Sequence, residues 1–277
     1  KLLAIDLPND LAVVRLERVD QAKPRPHFDF DARALAGTLP QGERLYSMGN
    51  PLDLGFSIVE GTYNGAVERS YNERILFSGA VNPGMSGGPT VAADGKVAGI
   101  NVAKRTDGEL VSFLVPARFA AQLLDKARAD LAAGRTMQPR DIVAEIGRQL
   151  AQRQSELYKQ LDESGFRPST FGPYRASEVS APWFTCWAQT NATQSPKPRA
   201  AVNTTNCASD TRLFVAGDLN VGLVQLTHSY VRSTELNPFQ FATFLSRQNQ
   251  IGWTGNAASK WYTRQRCHED FVAAGEG

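Results

Sequence analysis

The sequence predicts a mostly β fold up to Pro116, followed by helices and a small α+β unit at the C-terminal end. Three observations predict it. Short runs rich in Val, Ile, Phe and Tyr recur between Arg44 and Val115, separated by Gly, Asn and Asp, as an all-β barrel requires. After Pro116 the apolar residues recur with a helical period. Beyond Ser180, strand-like runs alternate with a capped helical pattern.

The elements follow in order. Leu2–Asp6 is strand-like, and 11–17 read as a strand. Residues 18–42 hold Pro24, Pro26, Pro40 and several charges, and read as a connection. Strands are expected at 44–49, 56–64, 74–81, 88–92, 96–103 and 109–115, with Asp94-Gly95 as a hairpin turn. Residues 117–134 place Phe119, Leu123, Leu124, Ala127 and Leu131 at helical spacing, and Gly134 and Pro139 end the pattern. A second helix is expected at 140–164 from Ile142, Ile146, Leu150, Leu157 and Leu161. It either packs on its own domain or forms an arm between domains or subunits. Residues 165–180, with Pro168 and Pro173, read as a linker. Within 181–277, strands are expected at Trp183–Gln189, Arg212–Ala216 and Val221–Leu226, and a short helix after Asn237-Pro238. The resulting divisions are 1–135, 136–180 and 181–277.

Composition sets bounds. The 277 residues are 42% hydrophobic and 21% charged, enough for a sizeable core in one or two domains. A net charge of +2 gives no basic footprint, so nucleic acid is not an expected partner. No apolar run is long enough for a transmembrane helix. Cys186, Cys207 and Cys267 have no CxxC partner, which argues against a zinc ribbon. Cys186 with Cys207 is the favoured disulfide, because both flank a short polar loop between adjacent strands; three reduced thiols are the alternative. A disulfide points to an export compartment.

Residues 82–89, Asn-Pro-Gly-Met-Ser-Gly-Gly-Pro, carry the chemistry. Gly84, Gly87 and Gly88 allow backbone angles that side chains forbid and let a substrate approach the main chain. Such a turn can present Ser86 as a nucleophile and aim the amides of Gly84 and Ser86 at one developing oxyanion. The segment resembles the nucleophile loop of trypsin-like serine proteases of the chymotrypsin fold, closest to the bacterial HtrA/Deg type, with Met85 where Asn or Asp is usual. Three further segments are similar to that family in the right order: Asn9–Leu16, Met48–Phe56, and the pair 96–103 and 110–116.

The resemblance implies a partial first barrel ending at 11–17, a complete second barrel and a closing helix within residues 1–135. It implies that Asp10 orients the catalytic base, with a turn residue before a strand as the plainer reading. It places Ala80 at the floor of the specificity pocket and Val102 and Ser112 on its walls. With no carboxylate at Ala80, Ser78 or Gly79, small or medium apolar side chains are expected before the cut.

The base itself is not legible. His27 follows a Pro-rich stretch, His228 sits in a strand-like run and His268 follows Cys267, none in the family's context for its histidine. The expectation is a base in an N-terminal segment outside this chain, so that the 277 residues alone turn over little. The function implied is a serine endopeptidase acting through an acyl-enzyme on Ser86. The alternative is a catalytically inactive protease-fold binding or scaffold protein. Polypeptide substrates, no metal or organic cofactor, a possible homo-oligomer and a periplasmic or secreted setting complete the expectation. The unit at 181–277 does not resemble the PDZ domain usual in the HtrA type, and no family is assigned to it.

Overall fold

Six antiparallel strands close into a barrel between Arg44 and Pro116 in the computed structural model, which describes residues 1–16, 26–104, 110–193, 197–216 and 219–249. Two hairpin strands precede it, β1 (Leu2–Asp6) and β2 (Leu11–Val14). A one-turn helix α1 (Ala32–Ala36) follows, with Asp31 at its N-cap and Gly37 left-handed at its end. The barrel strands are β3 (Arg44–Gly49), β4 (Ser57–Ala66), β5 (Ile75–Phe77), β6 (Pro89–Val91), β7 (Val97–Lys104) and β8 (Ser112–Pro116). Their spatial order is β3-β4-β5-β8-β7-β6, and β6 returns to β3.

The reason is the period-two burial of these strands. Leu45, Phe77, Ala98 and Leu114 point inward and are fully buried, whereas β4 alternates half-buried with exposed residues along its first half. Closure between β3 and β6 rests on a short ladder, Tyr46↔Val91 and Ser47↔Thr90. The tract before α1 also joins the sheet: Val97 donates to the carbonyl of Asp29, and Asp31 donates to that of Val97.

Helix α2 (Ala117–Ala132) leaves the barrel directly from β8. Its buried Leu123 and Ala127 pack on Ala4, Leu3, Leu11 and Val13, so it covers the β1–β2 hairpin. Helix α3 (Ile142–Ser164) reaches the same hairpin. The amide of Leu7 donates to Gln149 Oε1, and Gln149 Nε2 donates to the carbonyl of Ile5. One turn on, Arg153 donates to Asn72 and lies over the Tyr71 ring. Of the two sequence readings for this helix, its first four turns follow the one in which it packs on its own domain.

The chain divides into two compact units, Lys1–Leu157 and Tyr158–Gly277, so the division falls inside α3. In the second unit, residues expected to be a linker form a hairpin of β9 (Phe166–Phe171) and β10 (Tyr174–Val179). The prolines that suggested a linker are compatible with it. Pro168 lies in a two-stranded sheet, where one side of each strand needs no ladder donor, and Pro173 follows a left-handed Gly172 in the turn. A three-stranded sheet joins β11 (Phe184–Thr190), β12 (Ala201–Ser209) and β15 (Gln225–Arg232). The expected strand at Val221–Leu226 is two strand ends instead, because Gly222 takes a positive φ between β14 (Leu219–Val221) and β15; β14 pairs with β13 (Leu213–Ala216). Helix α4 (Pro238–Asn249) starts at a reciprocal cap, with Gln240 donating to the Asn237 side chain and Asn237 to that of Gln240. Cys186 and Cys207 face each other in the β11–β12 register and are joined by a disulfide, with a Cα–Cα distance of 4.1 Å. Among the described residues, no helix is long and apolar enough to cross a membrane.

The α3 contact has a pH signature. Arg148 and Gln149 hold the Glu145 carboxyl down to about 2 from 4.5. Its stabilising effect is therefore complete above the unfolded value and is lost as pH falls from about 4.5 towards 2. Arg148 is solvated and Glu145 only part-buried, so Glu145→Gln should cost about 1 kcal/mol or less at pH 7 and almost nothing near pH 2. Urea unfolding of the two proteins at both pH values measures this; an equal gap at both would refute it.

Candidate active site

The loop between β5 and β6 carries Ser86, and its shape follows from its glycines. Gly84 has φ +95° and Gly87 +81°, values open to few other residues. Gly84 and Gly88 also sit against backbone. A Cβ on Gly84 would land on the carbonyl oxygen of Asn50, and one on Gly88 on that of Met48. The loop is thus pressed onto the end of β3 and the tight turn Pro51–Asp53, where the amide of Leu52 donates to the carbonyl of Pro83. That turn is itself unusual. Leu52 and Asp53 both adopt positive φ, and the Asn50 side chain ties it by accepting from Gly55 and donating to Asp53.

Met85 points the opposite way from Ser86. Its side chain is fully buried in the barrel core, while Ser86 and Gly84 are exposed. Burial of this thioether contributes roughly 1.5–3 kcal/mol and anchors the loop from beneath. The sequence reading treats Met85 only as a departure from the family pattern; the structure gives it a packing role.

Hydrogen bonds sort the loop's amides. Met85 donates to Asn82, Gly87 to Asn101 and Gly88 to Met85. Among the described residues, the amides of Gly84 and Ser86 take no backbone acceptor. These are the two amides that the sequence assigns to an oxyanion. The Ser86 hydroxyl donates to the carbonyl of Val102 at 3.5 Å.

The residues expected to line a specificity pocket are Ala80, Val102 and Ser112, and Val102 accepts from the Ser86 hydroxyl. Ser112 is buried, donates to the carbonyl of Gly79 and accepts from the amide of Val81, so it brackets Ala80 from both sides. Ser112 therefore sets the backbone at Ala80 and presents little surface of its own, whereas Ala80 and Val102 are partly exposed.

Asp10 lies at the last position of the β1–β2 turn, exposed, with φ 58° and its amide bonded to Leu7. That turn docks on the second barrel through Arg74, which donates to the carbonyl of Pro8 and the side chain of Asn9. Ser86, Gly84, Ala80, Val102 and Ser112 form one neighbourhood, and Asp10 stands on a separate hairpin.

No described histidine bonds to Ser86. His27 lies 3.8 Å from Asp29, in the tract that meets β7 at Val97. Val102, which touches Ser86, is five residues further along that strand, roughly 16 Å away at about 3.3 Å per residue. In the second unit, His228 bonds through Nε2 to the carbonyl of Ser177 and stacks near Phe171. His268 lies outside the described residues. Among the described residues, no cluster of His, Cys, Asp and Glu is placed to hold a metal.

The residue that sequence reasoning missed is Asn101. It is 2% exposed in the middle of β7. Its Oδ1 accepts from Ser47 Oγ and Thr90 Oγ1; its Nδ2 donates to the carbonyls of Met48 and Met85. An asparagine inside an otherwise apolar strand, Val-Ala-Gly-Ile-Asn-Val-Ala, was the available signal, since strands disfavour Asn and a buried amide needs partners.

Residues 1–100 match the trypsin-like peptidase domain. A serine protease described as HhoB from Synechocystis is 30% identical over 178 residues, covering 61% of this chain and 39% of that protein. A serine protease described as Do-like HtrA from Bacillus subtilis is 32% identical, covering 47% and 31%. A probable periplasmic serine endoprotease, DegP-like, from Chlamydia muridarum is 29% identical, covering 47% and 26%. The chain thus spans under two fifths of the length of these relatives. Over the matched residues the chain is similar to HtrA-type serine proteases.

The contacts of Gly84 lead to a paired test. Gly84 and Gly95 both have positive φ, but only Gly84 has backbone where a Cβ would go. Gly95→Ala should cost about 1–2 kcal/mol for the left-handed conformation, and Gly84→Ala roughly 1–3 kcal/mol more for the collision. Equal losses in chemical denaturation would show that the approach to Asn50 is not rigid.

Proposed function

We propose that this chain carries the nucleophile side of an HtrA-type serine endopeptidase. Ser86 attacks the scissile carbonyl of a polypeptide. A histidine supplied from outside these 277 residues takes the Ser86 proton and later passes it to the leaving amine. Asp10 orients that histidine, and the amides of Gly84 and Ser86 hold the oxyanion. The observation that carries the reading is the loop itself: an exposed Ser86 between a buried Met85 and a left-handed Gly87, with the amides of Gly84 and Ser86 free of backbone acceptors while their neighbours are bonded.

The position of Asp10 supports its role by its anchorage. Arg74 holds the turn to the second barrel, and Gln149 and α2 brace its hairpin from the other side. A carboxylate that orients a base has to be held in place, and this anchorage supports that reading.

The uncharged tract at Ala80, held by Ser112, supports a preference for small or medium apolar side chains before the cut. A periplasmic or secreted setting is supported by the Cys186–Cys207 disulfide and by the periplasmic description of the DegP-like relative.

Labelling by a fluorophosphonate probe tests the nucleophile. The natural full-length protein should label at Ser86, and Ser86→Ala should abolish labelling; labelling that survives Ser86→Ala refutes the assignment. Absence of any labelling favours the inactive binding or scaffold protein. With the base supplied from elsewhere, as proposed, the 277-residue chain alone should hydrolyse peptides at least about 10³-fold more slowly than the full-length protein. In the full-length protein, Ala80→Asp should introduce cleavage after Lys or Arg, and a profile that stays apolar would move the pocket floor elsewhere.

A further inference from the structure

We propose that Asn101 is the positioning residue of the nucleophile loop, an inference that rests on the reading of Ser86 as nucleophile. One residue bonds the loop on both sides of Ser86. Before the serine, Asn101 Nδ2 donates to the carbonyl of Met85 at 3.1 Å. After it, the Asn101 carbonyl accepts from the amide of Gly87 at 2.9 Å, and the Asn101 amide donates to the carbonyl of Gly88 at 2.9 Å. The peptide groups that flank Ser86 are thus set from a single strand residue, and the next residue, Val102, accepts from the serine hydroxyl.

The same amide ties this loop to the barrel seam. Its Oδ1 accepts from Ser47 Oγ at 2.9 Å and Thr90 Oγ1 at 2.6 Å, and those two residues are partners in the short ladder that closes the barrel between β3 and β6. Its Nδ2 also reaches the carbonyl of Met48 at 3.1 Å, one residue before Gly49, whose Cα faces Met85. All four hydrogen-bonding places of the amide are filled, in a site closed to water. This amide has one orientation, because turning it over would set its oxygen against the carbonyls of Met48 and Met85, which cannot donate. Asn101 therefore fixes the Met85–Ser86 and Ser86–Gly87 peptides relative to the barrel. The Gly84 and Ser86 amides then need no reorganisation when charge develops on a bound carbonyl.

The two ends of the amide do separable work, and Asn101→Asp separates them. Oδ1 is retained for Ser47 and Thr90. The donor is replaced by an oxygen facing the carbonyls of Met48 and Met85. That carboxyl is buried with no cation beside it, so its pKa is raised. Ionised, it repels both carbonyls; protonated, it donates to one of them again.

The experiment is fluorophosphonate labelling of full-length wild type and N101D between pH 5 and 8, expressed per folded molecule from circular dichroism. N101D should label about tenfold or more slowly than wild type at pH 8, as expected for a displaced catalytic group. The ratio should climb towards one as pH falls. A ratio near one at every pH, or one that follows only the folded fraction, overturns the proposal. Should N101D not fold, Asn101→Ser, whose shorter side chain does not reach Met85, is read in the same way, with a drop of similar size expected and an unchanged rate refuting it. Failure of both variants to fold would make Asn101 a folding residue alone. The two readings fail differently: wild type unlabelled at Ser86 removes the nucleophile, whereas labelled wild type with equally fast variants removes only the positioning role.

Discussion

The buried amide of Asn101 is the interaction on which the rest of this domain depends. It joins the seam between β3 and β6 to the loop that bears Ser86, and it does so with every donor and acceptor used. An unpaired polar group in that place would cost about 1–3 kcal/mol, so losing the partners at either end of the amide weakens the join. The barrel seam and the shape of the candidate site are linked through this one side chain.

Around that node the backbone is packed more closely than side chains permit. Gly49, Gly84 and Gly88 each leave no room for a Cβ, because Met85 or a carbonyl of the β3 end occupies it. Met85 fills the core below, and the left-handed pair Leu52 and Asp53 turns the chain away above. The loop that bears Ser86 is held from three sides, and among the described residues the Gly84 and Ser86 amides take no backbone acceptor. Preorganised donors of this kind are what acyl transfer needs.

The first hairpin has its own supports. Helix α2 covers it through Leu123 and Ala127, Gln149 of α3 bonds both Ile5 and Leu7, and Arg74 holds Pro8 and Asn9. Asp10 stands on a turn fixed from three directions although it belongs to neither the barrel nor the helices. In the second unit, the disulfide joins paired positions of β11 and β12, and the short hairpin β9–β10 is tied to β15 through His228 and Ser177.

Much of this was legible in the sequence, because the signals were local. Short runs rich in Val, Ile, Phe and Tyr marked the six barrel strands, the helical period after Pro116 marked α2, and Asn237-Pro238 marked the start of α4. The glycine spacing around Ser86 announced the loop. Local signals also misled: Pro168 and Pro173 read as a linker where a hairpin forms, since an edge position removes the penalty that proline carries inside a sheet. What the sequence by itself determined was where strands, turns and the serine-bearing glycine loop fall along the chain. Only the tertiary structure decided that Asn101, 54 residues from Ser47 and 16 from Met85, binds both, and that Met85 faces the core while Ser86 faces out. The physical reason is that the chain's own periodicity sets a strand, but the partners of a buried amide are set by whichever segments barrel closure brings beside it.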